Sequence, residues 1–220
     1  MQRLEPIVYL AEIQLLRRVA ERRLDFFGTR TNGNLVEKVE KVEKRLTQIS
    51  FSKITGYQLT PAITLLDKLK IPYTLHQYQH QTDAASYGEE AAELLQLPYG
   101  QVFKTLITQV VGGKQAFAVA ILPVNRQLSL KQLALCLKAK KAEMADPKDA
   151  VRMTGYLPGG ISPLGQKGRL PKVIDESALD FDKIFVSAGR RGLEVELNVS
   201  DLVQVIAAKV RPIATPPKMD

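Results

Sequence analysis

The chain has very little of the residues that most enzymes use for covalent or metal chemistry. It contains one cysteine, Cys136, and two histidines, His76 and His80, and it has no tryptophan. One cysteine excludes an intrachain disulfide and a cysteine-based metal cluster, and it fits a reducing compartment. No apolar run reaches the roughly 20 residues that a membrane-spanning helix needs. The opening segment is broken by Glu5, Glu12, Arg17 and Arg18, and no small-residue cleavage site follows an apolar core. It also carries acids and almost no serine, so neither a signal peptide nor a transit peptide is expected, and the chain reads as cytoplasmic. There is no G-x-x-x-x-G-K-[ST] phosphate loop, no dinucleotide turn between strand and helix, and no G-x-S-x-G elbow.

What is present suits a globular core. Of 220 residues, 45% are hydrophobic and 25% charged, enough for one domain plus an appendage. The net charge of +8 suits a polyanionic partner such as a nucleic acid, and equally a merely basic protein.

Residues 1–58 differ in pattern from the rest. Leu10, Ile13 and Leu16 recur at helical spacing, and Gly28, Asn32, Gly33 and Asn34 then break the run. A charged helix follows, with Leu35, Val39, Val42 and Leu46 on one stripe and Glu37–Lys41 and Glu40–Lys44 pairs beside it. This region is expected to be a solvated helical extension.

A main domain over 59–215 begins at Thr60-Pro61, an N-cap and first-turn proline. Helices are expected over Ala62–Lys70, Tyr87–Leu95, from Ser129 to Lys138, over Pro147–Met153, and from an Asn198 or Ser200 cap to Lys209. Strands are expected over Ile71–His80, Val102–Val111, Ala116–Leu122, Ala142–Ala145, Lys172–Asp175, Lys183–Ser187 and Leu193–Asn198, with Gly112-Gly113 turning a hairpin. Helices interspersed among hairpin-linked strands imply an α+β domain with a mixed, largely antiparallel sheet.

Few residues suggest chemistry directly. His76, Tyr78 and His80 alternate onto one strand face, but no acid stands out as a further metal ligand, so a polar face lining a cleft is the simpler reading and no metal is expected. Cys136 sits among apolar helix positions, as a core cysteine does. Lys104 interrupts an apolar strand, where composition alone favours an ordinary outward lysine, and Thr105 faces the other way. The stretch Thr154–Pro171 holds five glycines. Such a loop is either a structural turn or a backbone cradle for a carbonyl or phosphate. Lys167, Arg169, Arg190 and Arg191 are candidate phosphate contacts in it and near it.

The stretches TPAITLLDKLKIPY, VFKTL, AVAILPV, KKAEMADPKDAVRMTGYLPGGISPLGQKGRLP and VSAGRRGLEVEL resemble the YbaK/EbsC family of bacterial Cys-tRNA(Pro) deacylases, over Thr60 to about Pro212. The resemblance implies a mixed sheet curled into a partial barrel with flanking helices, shared with the editing domain of prolyl-tRNA synthetase. It implies an aminoacyl-tRNA substrate, Cys-tRNA(Pro) or Cys-tRNA(Cys), association with prolyl-tRNA synthetase, and no cofactor. Editing is needed because a hydrophobic pocket separates cysteine from proline poorly. The family's lysine falls on Lys104, its pocket tyrosine on Tyr78, and its threonine on Thr105. Its loop glycine falls on Gly160, with Gly159 beside it, and its pocket serine on Ser187. Its usual aspartate is replaced here by Glu194, and its S-G-G by Ser187-Ala188-Gly189. The substrate thiol is the nucleophile the resemblance implies, and Lys104, protonated at an ordinary pKa, is expected to bind rather than to act as a base. An Ala-tRNA(Pro) deacylase and a non-catalytic tRNA- or synthetase-binding module are the competing readings. Family members begin M-T-P-A where this chain reads Leu59-Thr60-Pro61-Ala62, so residues 1–58 are either a basic arm or lie upstream of a true start at Leu59.

Overall fold

The computed structural model describes residues 59–80 and 87–215. The expected helices of residues 1–58 lie outside the described residues. The described part belongs to one compact unit, Leu59–Asp220.

Helix α1 (Pro61–Leu69) starts where the sequence signals it. Thr60 accepts a hydrogen bond from the Ile63 amide, and Pro61 occupies the first turn, where its missing N–H costs nothing. Ala62, Ile63 and Leu66 form its buried face, and Lys70 ends it in the left-handed region. There follow β1 (Tyr73–Gln77), α2 (Tyr87–Leu94), a 3₁₀ turn (Tyr99–Gln101), β2 (Val102–Val111) and β3 (Phe117–Pro123). Next come α3 (Leu130–Cys136), β4 (Lys141–Met144), α4 (Pro147–Thr154), the glycine-rich loop 155–171, and β5 (Lys172–Asp175). The chain continues through a second 3₁₀ turn (Glu176–Asp180), β6 (Lys183–Arg190), β7 (Leu193–Asn198), α5 (Val199–Ile206) and β8 (Lys209–Arg211).

The strands form one open mixed sheet in the order β1-β7-β6-β2-β3-β5-β8, with β4 also paired to β2. The pairs β1–β7, β2–β3, β2–β4 and β6–β7 are antiparallel, whereas β2–β6, β3–β5 and β5–β8 are parallel. One edge of β2 carries β3. The other edge is shared, by β6 at Val102–Phe103 and by β4 from Thr108 onward. The central strand β3 is an almost unbroken apolar run, as a strand covered on both faces requires.

Two differences from the sequence reading have clear causes. Helix α5 does not reach Lys209: Ala207 turns left-handed at φ 50 and accepts the role of C-cap. The Lys209–Arg211 run is freed to become β8 on β5, a strand too short and too polar to show alternation. Its N-cap is Asn198, which accepts from the Ser200 amide. Cys136 packs against a core cluster that includes Leu122, Leu133, Val173 and Ile213.

Asp175 ties the C-terminal segment to the sheet. Its buried carboxylate accepts from the Ser177 hydroxyl at 2.6 Å and from the amides of Ile213 at 2.9 Å and Ala214 at 2.7 Å. Burial works to raise its pKa, but these hydrogen bonds together outweigh burial and hold it below 3.8. Its contribution to stability is therefore complete above that ordinary value and is lost as pH falls through the depressed one. Asp175→Ala leaves two buried amides unpaired and is expected to cost about 3 kcal/mol. That corresponds to a drop in Tm of roughly 6–12 °C at neutral pH. Thermal melts from pH 7 down to pH 2 check both points: the variant should lose the steep acid limb of the wild type.

Candidate active site

The site is built by strand register. In the antiparallel pairs, His76 stands opposite Glu194, and Glu194 opposite Ser187. The parallel pairs Val102–Phe185 and Phe103–Val186, carried one step further, place Lys104 next to Ser187. Directly paired residues point to the same face of a sheet. Lys104, Ser187, Glu194 and His76 therefore form a row across β2, β6, β7 and β1. Tyr78 lies two residues past His76 and packs with Val102, Val124 and Phe185 under Ala91 and Ala92 of α2. Phe185 also meets His76 edge-on at 5.1 Å.

Lys104 is half-buried, and its Nζ donates to the Val124 carbonyl at 2.9 Å. Burial pulls its pKa below the ordinary value, and the charge of Glu89 opposes that pull. The sequence expectation of an ordinary lysine pKa is thus corrected: a lysine on a covered sheet face loses hydration that a surface lysine keeps. Glu194 is buried at 6% exposure, and burial pushes its pKa up to about 8. Near neutral pH it is largely a carboxylic acid able to donate as well as accept. Burial also raises the Tyr78 phenol, helped by the charges of Glu194 and Glu90, so the hydroxyl keeps its proton.

The glycine loop closes one end of this row. A Cβ on Gly160 would stand 2.7 Å from the Arg190 Cα and 3.0 Å from the Arg191 amide nitrogen, so only glycine lets the loop lie on the β6–β7 turn. Gly159, at φ 82, abuts both the Arg191 guanidinium and the Tyr87 ring. Arg191 Nε donates to the Pro158 carbonyl at 2.9 Å, and its guanidinium lies 4.5 Å over the Tyr87 ring. Tyr87 touches His80 at 5.6 Å between ring centroids, and His80 is hydrogen-bonded to Glu90 at 2.8 Å.

The structure gathers Lys104, Tyr78, Ser187 and Glu194 on one face, with Gly159, Gly160 and Arg191 at the rim. It does not bring Thr105 to them. Strand alternation turns Thr105 to the opposite face, with Phe103 and Ile107, and its buried hydroxyl has no hydrogen-bond partner. Arg190 is half-buried with its Nε buried and unpaired. Lys167 and Arg169 are exposed on the far stretch of the loop, where the Lys167 amide donates to Thr154 at the end of α4. His76 and His80 each face a carboxylate, Glu196 at 2.9 Å and Glu90 at 2.8 Å. Among the described residues, no group of three His, Cys, Asp or Glu side chains is gathered as metal ligands. Also among the described residues, no helix is long and apolar enough to cross a membrane.

Sequence reasoning passed over Tyr87, Glu90 and Glu196. Glu196 lies 120 positions from its partner His76 and Tyr87 about a hundred from Arg191, so no local spacing could have flagged them. The ten-residue separation of His80 and Glu90 is likewise no recognised motif.

This fold recurs among known proteins. A solved structure of a candidate trans-editing enzyme for prolyl-tRNA synthetase superposes with a TM-score of 0.61 at 18% identity, covering 71% of this chain and 96% of that one. The structure of hypothetical protein APE2540 gives 0.62 at 21% identity, covering 71% of this chain and all of that one. In sequence, residues 82–205 match the aminoacyl-tRNA editing domain. EbsC of Enterococcus faecalis, described as a candidate Cys-tRNA(Pro)/Cys-tRNA(Cys) deacylase, is 37% identical over 158 residues, which are 72% of this chain and 94% of that protein. The proline–tRNA ligase of Thermosipho africanus is 25% identical over 112 residues, 51% of this chain but 19% of the ligase. The chain belongs to the aminoacyl-tRNA editing family, in its YbaK/EbsC branch.

The raised pKa of Glu194 has a stability consequence whose sign is fixed. The folded state holds a proton on Glu194 that the unfolded chain releases near 4.5, so stability falls as pH rises from there through about 8. Glu194→Gln, which keeps the shape without the charge, is expected to flatten the decline in Tm between about pH 5 and pH 9. An unchanged slope in the variant would place the titration elsewhere.

Proposed function

We propose that the protein is a cytoplasmic trans-editing deacylase that releases cysteine from Cys-tRNA(Pro), and from Cys-tRNA(Cys), using the substrate's own thiol. Prolyl-tRNA synthetase is the protein partner this reading implies.

The carrying observation is what the row of site residues offers. Lys104 Nζ, the Tyr78 hydroxyl, a largely neutral Glu194 and the Gly159 amide are all hydrogen-bond donors or can be, while the Gly160 amide is given to the Leu157 carbonyl and shapes the loop. Ser187, the one aliphatic hydroxyl in the row, accepts from the Gly189 amide at 3.4 Å, and among the described residues no base is hydrogen-bonded to its Oγ. Both histidines are engaged with carboxylates instead. Such a site suits orientation and oxyanion stabilisation more than nucleophilic attack by the enzyme. An aminoacyl ester is already activated, and a cysteine thiol, with a reference pKa near 8.5, supplies the missing nucleophile.

In this reading the thiolate sulfur bonds to its own carbonyl carbon, and negative charge builds on the carbonyl oxygen facing the donors. The ester C–O bond then breaks, and the terminal ribose oxygen leaves and takes up a proton. The cyclic thioester so formed is opened by water to free cysteine. Lys104 holds the ester and the adjoining phosphate, its amine kept in place by Val124. Glu194 and Tyr78 bound the small pocket for the side chain. Lys167, Arg169 and Arg190 are the basic groups this reading offers to the tRNA backbone.

Release of amino acid from Cys-tRNA(Pro), Ser-tRNA(Pro) and Ala-tRNA(Pro) tests the proposal. Cysteine should be released rapidly and serine hardly at all, since a hydroxyl with a pKa far above neutrality cannot replace the thiol. Lys104→Ala should lower the rate on the order of 10²–10³-fold without unfolding the protein. Equal rates on serine would remove the thiol mechanism, and alanine release alone would move the protein to the alanine-specific branch. Binding with no release would leave a non-catalytic tRNA-binding module.

A further inference from the structure

Arg191 looks at first like a phosphate contact: it is exposed, basic and at the rim of the site. Part of its polar capacity, however, is turned inward. Nε donates to the Pro158 carbonyl at 2.9 Å. The guanidinium face is laid on Tyr87 at 4.5 Å. Any side chain at Gly159 would strike both partners, at 2.8 Å from Arg191 Nε and 2.9 Å from the Tyr87 ring. Three segments distant in sequence are thus locked together: the β6–β7 turn, the first turn of α2, and the glycine loop. The loop is also held by its own Gly160 amide, which donates to Leu157 at 3.0 Å. Tyr87 precedes Gly88, whose Cβ position would be 4.0 Å from the Lys104 Cβ, so the lock adjoins the lysine end of the row.

We propose that Arg191, seated on Tyr87, is a positioning residue that fixes the Pro158–Gly160 turn against the Lys104 site, and is not a tRNA phosphate contact. This role rests on the deacylase reading for its catalytic meaning, but the tie itself exists in the free protein. A guanidinium is suited to it because one planar group donates at its edge and stacks on its face. Lysine keeps the charge and loses both the in-plane donor and the stack. A phosphate contact would tolerate lysine where it acts as a point charge, and where it is bidentate its loss would appear in KM and not in kcat. The mode of failure of Arg191→Lys therefore separates the two roles.

Positioning predicts that Arg191→Lys and Arg191→Ala lower kcat alike, on the order of 10–10²-fold, with KM changed much less. The dependence of binding on salt should stay as in the wild type. Tyr87→Leu should show the same kcat defect, and Tyr87→Phe, which keeps the ring, should restore most of it. A second measurement needs no substrate. Hydrogen exchange at the Gly160 amide should quicken in Arg191→Lys while Tm stays within a few degrees of wild type. The proposal is overturned if Arg191→Lys keeps the wild-type rate, or if Arg191→Ala acts through KM and lowers the log–log salt slope by about one. Unchanged exchange at Gly160 overturns it as well. A wild-type protein inert on every aminoacyl-tRNA would instead sink the deacylase reading, and the exchange measurement would still decide whether Arg191 holds the loop.

Discussion

Strand β6 runs beside β2 for only two paired residues, Val102–Phe185 and Phe103–Val186, before the ladder ends. Past that point β2 does not regain a partner on this edge until β4 joins at Thr108. Beyond Ser187, β6 loses its register against β7, and pairing resumes at Arg190–Leu193 with the register shifted. A bulge of this kind bends a strand and re-aims its side chains. Its consequence is that Lys104 and Ser187 stand side by side where sheet pairing has just stopped, and that Arg190 and Arg191 are carried out to meet the glycine loop. The first turn of α1 braces the same place, because the Thr60 hydroxyl donates to the Ala188 carbonyl inside the bulge. The site is thus a local failure of sheet pairing that the surrounding elements hold open.

The electrostatics of the row follow from how it is covered. Helix α2 packs over Tyr78, Val102 and Phe185, and its Gly88 lies against the stem of Lys104, so this part of the face is covered. Burial lowers the pKa of the lysine and raises those of the two acids. Each shift favours the neutral form, and for Glu194 it is large enough that the acid is mostly uncharged near neutral pH. The net +8 of the whole chain supplies long-range attraction for a polyanion independently of these shifts.

Much of this architecture was legible in the sequence, for identifiable reasons. Thr60-Pro61 and Ser129 are local start signals whose hydrogen bonds span three residues, so α1 and α3 could be placed from neighbours alone. The Gly112-Gly113 turn announced the β2–β3 hairpin. Lys104 stood out because it interrupts an apolar stretch, and the glycine loop because five glycines need a cause. The parallel pairings, β8 and the bulge were not legible. Each depends on segments far apart in the chain, and β8 has three residues with no alternation to display. The same limit hid Tyr87 and Glu90, which acquire meaning only when the β6–β7 turn and the end of β1 are folded onto α2. Thr105 shows the converse: its place next to Lys104 in sequence is what puts it on the other face of the strand.

Glu194 stands where the family resemblance implies aspartate, and the difference can be argued physically. Glutamate carries its carboxyl one methylene further from the strand than aspartate would, and its burial is nearly complete. A longer acid reaches further into the interior, and a drier setting favours its protonated form, which is the direction of its shift. In the row Glu194 is paired with His76 on one side and Ser187 on the other, so an uncharged acid spares this part of the sheet a buried carboxylate with no cation beside it among the described residues.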